Sequence, residues 1–193
     1  MEFNWKKKII AGVDEVGRGC LAGPVVSAAV ILKKGVDFAL LKDSKKISFN
    51  KREEISEHIK KHSFFSIGIA TVEEILNLNI LQASLLSMKR AIAHLALKPD
   101  LTLIDGNFAP KGLKNFQTIV NGDQKIKVIS AASIVAKVYR DKLMIKLSEK
   151  FSNYAWERNF GYGTKAHLAG LKKFGITNHH RKGFKPIHKI LSS

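Results

Sequence analysis

The chain is short of most of the features that would staple a fold or fix it to a membrane. It contains one cysteine, Cys20. A single thiol excludes an intrachain disulfide and any zinc site built on cysteine ligands. As a nucleophile Cys20 has no evident histidine partner and sits in an apolar context. No apolar run reaches the ~18 residues that a membrane span requires. The N-terminal MEFNWKKKIIAGVDEVG meets acids too soon after its lysines to serve as a signal peptide. A basic amphipathic helix with aromatic anchors, the usual means of lying on a membrane, is also lacking. The expected location is the cytoplasm. There is no internal repeat, low-complexity tract or long linker, so 193 residues suit one domain or one domain with a short appendage. Negative charge is scarce as well: 16 Asp and Glu stand against 33 Lys and Arg, a formal net charge of +17. That excess favours a polyanionic partner, chiefly nucleic acid. The 45% hydrophobic content and scattered charge exclude a largely disordered chain.

Because acids are few, their positions are informative. Residues 9–32 read IIAGVDEVGRGCLAGPVVSAAVIL. Asp14 and Glu15 end one apolar run, a turn with Gly17, Gly19 and Gly23 follows, and Pro24 opens a second run. Asp105, in LTLIDGN, and Asp123, in IVNGDQK, repeat the pattern of an acid at the end of an apolar run. Ionised carboxylates beside buried strands are costly unless a positive charge compensates them, and a bound divalent metal is the usual compensation. Oxygen ligands without cysteine point to Mg²⁺ or Mn²⁺ rather than zinc. Taken singly, Asp105 and Asp123 are better explained as turn residues. Together with Asp14 and Glu15 the metal reading overtakes that explanation.

The patterning predicts strands over residues 8–14, 24–32, 63–70, 101–105 and 116–120. Ser48 is the expected N-cap of a polar helix over 48–62. Helical spacing runs from Val72 to Leu97, with Ile75, Leu78, Leu81, Leu85, Met88, Ile92 and Leu95 on one stripe, until Pro99 stops it. Residues 130–151 form a long helix expected to be capped by Ser130, one face carrying Lys137, Lys142, Lys146 and Lys150. A last helix starts near Thr164. Strands first, then strands alternating with helices, indicate an α/β domain with a mixed sheet.

Several motifs have a plain explanation beside the functional one. Gly17-Arg18-Gly19-Cys20-Leu21-Ala22 loosely fits a dinucleotide fingerprint, but that fingerprint needs a helix next, and here Pro24 and a β-branched run follow. The glycines are better read as bringing bare backbone close to a ligand, with Arg18 available for phosphate; the alternative is a tight hairpin with surface charges. Asp43-Ser44-Lys45-Lys46 taken alone is a capped turn with solvated lysines. Tyr162, between Gly161 and Gly163, can stand free of its neighbours and stack on a sugar or base, or be an ordinary loop residue. His167, His179, His180 and His188 lack a firm zinc spacing and are expected to be solvated or to face phosphate. Asp141, a lone acid in a basic helix, is expected to pair with Lys137.

Taken together, these residues resemble bacterial ribonuclease HII over nearly the whole chain. The resemblance is carried by Asp14-Glu15-Val16-Gly17-Arg18-Gly19, Leu21-Ala22-Gly23-Pro24-Val25, Asp43-Ser44-Lys45-Lys46, Asp105-Gly106, Gly122-Asp123, residues 130–138 (SAASIVAKV) and Gly161-Tyr162-Gly163-Thr164-Lys165-Ala166-His167. One departure is Gly183 in His180-Arg181-Lys182-Gly183-Phe184, where the family commonly has serine; it affects a tail contact. The resemblance implies an RNase H-like fold, a five-stranded mixed sheet flanked by helices, with a small helical C-terminal part from about residue 152. Only about eight residues precede the first strand, which disfavours the related ribonuclease HIII with its extra N-terminal domain.

The implied reaction is hydrolysis of RNA in RNA–DNA hybrids and at single ribonucleotides embedded in duplex DNA, as in ribonucleotide excision repair. It leaves a 5′-phosphate and a 3′-hydroxyl, and the enzyme would act as a monomer. By the same resemblance, Asp14, Glu15, Asp105 and Asp123 would hold two Mg²⁺ or Mn²⁺ ions during catalysis. Gly17, Arg18 and Gly19 would contact the 2′-hydroxyl through backbone groups. Tyr162 would stack on the next deoxyribose, and Lys45, Ser133, Lys137 and Lys165 would meet phosphates. A junction resolvase of the same superfamily would also use four acids but leaves the Gly-Arg-Gly and Tyr162 motifs without a role. A non-catalytic nucleic-acid binder explains the charge but not acids placed where they repel phosphate.

Overall fold

The computed structural model describes residues 8–33, 36–37 and 48–191. The Asp43-Ser44-Lys45-Lys46 motif, and Lys45 with it, lies outside the described residues. Five strands form one mixed sheet in the order β3-β2-β1-β4-β5: β1 (Ile10–Val16), β2 (Val25–Leu32), β3 (Ser63–Ala70), β4 (Leu101–Asp105) and β5 (Phe116–Ile119). The first three are antiparallel neighbours, while β1–β4 and β4–β5 are parallel pairs. The β1–β4 register sets Val13 against Ile104, so the carboxyl ends of both strands, with Asp14 and Asp105, reach the same edge of the sheet. This is the edge where open α/β sheets bind ligands.

Helices cover both faces. On one side, α3 (Ile80–Ala93) buries Met88 and Ala91 against Val13, Ala29 and Ile104. On the other, the 24-residue α5 (Lys127–Lys150) packs Ala131, Ala132, Ile134, Val135 and Ala136 against Ala28 and Val30. α1 (Phe49–Lys61) adds Ile55 and Ile59 to that layer. α5 approaches so closely that a Cβ on Gly12 would lie 2.3 Å from the backbone of Val128. Side chains alternate along a strand, so Asp14, two residues on, faces the same helix.

The chain after α5 folds back onto its second half. A 3-10 turn (Ser152–Tyr154), α6 (Trp156–Asn159), α7 (Lys165–Phe174) and α8 (Lys185–Leu191) enclose Tyr154, Trp156, Leu171 and Ile187 with Leu21, Ala22 and Met144. Ser48 caps α1 and Thr164 caps α7, each accepting from a backbone N–H three residues on.

Four expectations change. The helix beginning near Thr164 is not the last, since α8 follows it. β1 runs to Val16, two residues past its expected end at Asp14, so Glu15 as well as Asp14 lies inside the strand. The stretch 72–97 is two helices, α2 (Val72–Leu78) and α3, broken at Asn79. Asn79 takes φ +70°, and its side-chain oxygen accepts from the N–H groups of Leu81 and Gln82. Asparagine tolerates that backbone region and supplies its own cap, so the apolar stripe continues across the break. Ser130 is not the cap of α5. That helix starts at Lys127 directly after the one-turn α4 (Gly122–Lys125), whose Gly122 carbonyl accepts from Ile126, and Ser130 is buried inside it.

Candidate active site

A cleft opens at the carboxyl edge of β1 and β4. It is lined by Asp14, Glu15, Val16, Asp105, Asp123, Ser133, Ile134, Lys137 and Tyr162, and by Arg52 of α1. All four predicted acids therefore share one cleft, delivered by three different elements. Asp14 and Glu15 come from β1, Asp105 ends β4, and Asp123 sits in α4, just past β5.

The local backbone orients these carboxylates. Asp14 Oδ1 accepts from the N–H of Glu15 at 2.7 Å, and the Ser133 hydroxyl donates to the same carboxyl group. Asp105 Oδ1 accepts from the N–H of Gly122 at 2.6 Å, tying the end of β4 to the start of α4. Glu15 is paired with the half-exposed Arg18 at 3.3 Å. Asp14 is only 6% exposed. Burial, followed by the charges of Glu15 and Asp105, pushes its carboxyl up to about 8, against the Ser133 hydrogen bond. Burial also raises Glu15, with Arg18 pulling the other way. Desolvation and like-charge crowding both disfavour the ionised form, and both are relieved by a cation.

The donor chemistry fits a hard divalent ion: four carboxylates, with no histidine or cysteine among the lining residues. Among the described residues no three His, Cys, Asp or Glu side chains already stand as a closed metal-ligating group. The acids line the cleft without converging on one point.

Arg52, Lys137 and Tyr162 line the same cleft as the acids. Lys137 pairs with Asp141 at 2.7 Å, as its i,i+4 spacing suggested, and its ammonium lies 4.7 Å from the Phe160 ring centroid and 5.8 Å from that of Tyr162. Tyr162 is 39% exposed and faces the cleft with its ring. Its hydroxyl contacts Cys20 and is pushed up to about 12, chiefly by burial. Ser133 is engaged by Asp14 rather than standing open. Lys165 begins α7 and is exposed, outside the residues that line the cleft. Gly17, Arg18 and Gly19 follow Val16 at the cleft's rim and are not lining residues themselves.

Sequence reasoning missed Arg52, which no motif marks. It also misplaced two histidines. His167 and His180 are fully buried, not solvated. The N–H of Thr177 donates to His180 Nδ1, so His180 carries its proton on Nε2, 3.1 Å from His167 Nε2. His167 Nε2 also accepts from Trp156 Nε1, and His167 Nδ1–H donates to the Tyr162 carbonyl at 2.9 Å. Both rings are neutral and satisfied, and they hold the tyrosine's loop from behind. Arg140 and Arg181 are equally buried and equally invisible to pattern.

A family model described as Ribonuclease HII matches residues 11–189. The chain is 59% identical over 186 residues to the ribonuclease HII of Pelagibacter ubique (strain HTCC1062), covering 95% of this chain and 100% of that one. Among solved structures it is similar to the ribonuclease H2 of Pyrococcus horikoshii OT3, with TM-score 0.78, 25% identity and coverage of 95% and 97%. A Bst ribonuclease HIII, solved in complex with Mn²⁺, shares the fold at TM-score 0.72 and 16% identity, covering 98% of this chain and 71% of that one.

Proposed function

The chain belongs to the ribonuclease HII family of type 2 ribonucleases H, which cleave RNA paired with DNA, and from that premise we propose where and how it does so. The reading is carried by one observation: four acids from three elements meet in a single cleft of a chain whose net charge is +17. A cleft built only to bind nucleic acid would not place carboxylates against the phosphates.

In this reading Asp14, Glu15, Asp105 and Asp123 hold two divalent ions, Mg²⁺ or Mn²⁺. When bound, such a pair supplies a water of lowered pKa and stabilises the leaving 3′-oxygen. The chain's own contribution is orientation. The Glu15 N–H and Ser133 hydroxyl fix the Asp14 carboxyl, and the Gly122 N–H fixes Asp105. Such supporting contacts hold ligand geometry and are felt in affinity when removed. The backbone of Gly17, Arg18 and Gly19 reads the 2′-hydroxyl that separates RNA from DNA. The Tyr162 ring stacks on the following deoxyribose, while Lys45, Lys137 and Lys165 meet phosphates; Ser133, first expected among them, acts instead through the Asp14 carboxyl, which takes its one donor. The substrates are RNA–DNA hybrids and single ribonucleotides in duplex DNA, cut to a 5′-phosphate and a 3′-hydroxyl. Residues 1–193 act as one domain, with the helical part from about residue 152 bracing the tyrosine loop.

The test is a cleavage panel with Mg²⁺ or EDTA: a duplex with one ribonucleotide, a continuous RNA–DNA hybrid, and a four-way DNA junction. Magnesium-dependent cutting of the first two, with EDTA abolishing it, is expected. Cutting of the junction alone would replace the reading with a resolvase, and binding without cutting would replace it with a non-catalytic binder.

A further inference from the structure

Arg140, on α5, is fully buried, and its hydrogen bonds all go to backbone carbonyls of two loops. Nε donates to Pro24 O at 3.0 Å and Nη2 to Ala22 O at 3.0 Å, both at the end of the glycine turn; Nη1 donates to Phe160 O at 2.8 Å, in the loop that carries Tyr162. The two loops also touch directly, through Leu21 N–H to Gly161 O at 2.8 Å. One guanidinium therefore anchors both loops to the helix that carries Ser133 and Lys137. A buried charge is costly, and its retention in a unique, planar, three-carbonyl clasp is explained when the geometry it fixes is itself used.

We propose that Arg140 is the positioning residue that sets the spacing between the 2′-hydroxyl-reading glycine turn and the stacking Tyr162, and so determines the preference for an RNA-to-DNA step over continuous RNA. This rests on the roles given above to Gly17–Gly19 and Tyr162. A ribonucleotide followed by a deoxyribonucleotide satisfies both readers only if the readers stand one nucleotide apart. Arg140 touches neither sugar; it fixes that interval.

The experiment measures kcat/KM on the one-ribonucleotide duplex and on the continuous hybrid, and follows their ratio. Arg140→Lys keeps the charge but cannot span three carbonyls in a plane. It should lower the ratio by at least about threefold, the scale of a coupling between contacting groups. In a Tyr162→Ala background the same substitution should leave the ratio unmoved, because the second reader is already gone. Arg181→Lys is the matched control. Arg181 is as buried, but it donates to Gly23 O and Arg18 O, both on the glycine turn. Because Arg181 holds only the glycine turn, whose 2′-hydroxyl reading both substrates need, the substitution should slow both alike without moving the ratio.

If Arg140→Lys fails to fold, Gly161→Ala perturbs the same interval from the other side, since its Cβ would lie 2.6 Å from Ala22 O, one of the clasped carbonyls, and it should lower the ratio likewise. An Arg140→Lys enzyme slowed equally on both substrates overturns the inference, as does an equal ratio change in Arg181→Lys. If Tyr162→Ala leaves the ratio unchanged, the reader assignment has failed. If Tyr162→Ala moves the ratio and Arg140→Lys does not, this inference alone has failed.

Discussion

Alanine at Gly17 and alanine at Gly19 should separate the two uses of the glycine turn. Gly17 has φ +97°, where a side chain is strained by roughly 1–2 kcal/mol. Its added Cβ would lie 2.2 Å from Arg140 Nε, 2.8 Å from Cδ and 2.9 Å from Cζ. The guanidinium has no slack, being held by three carbonyls. Forcing it aside adds an overpacking cost of about 1–3 kcal/mol. The combined loss is about 3 kcal/mol, which in a chain of this size lowers the melting temperature by roughly 6–12 °C. Gly19 is different: nothing lies within 4 Å of its Cβ position, and its φ lies outside the left-handed region. Gly19→Ala should cost less than about 0.5 kcal/mol, yet slow cleavage of ribonucleotide-containing duplex if, as proposed, bare backbone there meets the 2′-hydroxyl, because a methyl would enter that space. Thermal unfolding and kcat/KM on the same preparations decide it. A Gly17→Ala protein that melts like wild type refutes the packing argument. A Gly19→Ala protein with full activity refutes the role given to that backbone.

Two further outcomes follow from charge. Duplex affinity should fall with salt by a slope of about −0.9 in log K against log salt for each phosphate neutralised; an affinity indifferent to salt contradicts a basic binding face. Burial, and then the repulsion that a second proton beside His167 would meet, holds His180 down at about 4, and burial lowers His167 as well. A depressed histidine binds fewer protons folded than unfolded, so its stabilisation is complete above the ordinary 6.5 and is lost as pH falls from 6.5 toward 4. The melting temperature should therefore drop between pH 7.5 and 5, and less steeply in His180→Gln; equal slopes in the two proteins contradict the neutral-pair account.

The sheet and the acids were legible in the sequence because each depends on local pattern. Runs of β-branched residues mark β1 to β3, and an acid at the edge of such a run marks Asp14 and Asp105. Local pattern also misleads where two devices overlap. The apolar stripe of residues 72–97 passes through Asn79 unbroken although the backbone turns there, and Ser130 looks like a cap because serine before an apolar run usually is one. What periodicity does not carry is long-range polar pairing. Arg140 bonds carbonyls 116 and 118 residues away, and Arg181 one 158 residues away. Neither partner has a side-chain signature. The His167–His180 pair is similar: both look like surface histidines in a basic tail, and only the fold back onto α5 buries them.

The central claim is that the carboxylates in the cleft, rather than the basic surface, perform the chemistry, and Asp105→Asn tests it most directly. Asparagine keeps an oxygen that can accept from the Gly122 N–H, so the end of β4 stays tied to α4 while one negative charge is removed. Magnesium-dependent cleavage of the one-ribonucleotide duplex should fall to background, with affinity for that duplex unchanged or tighter and the melting temperature close to wild type. Cleavage retained at more than a few per cent of wild type, by a protein that binds and melts normally, would contradict the account.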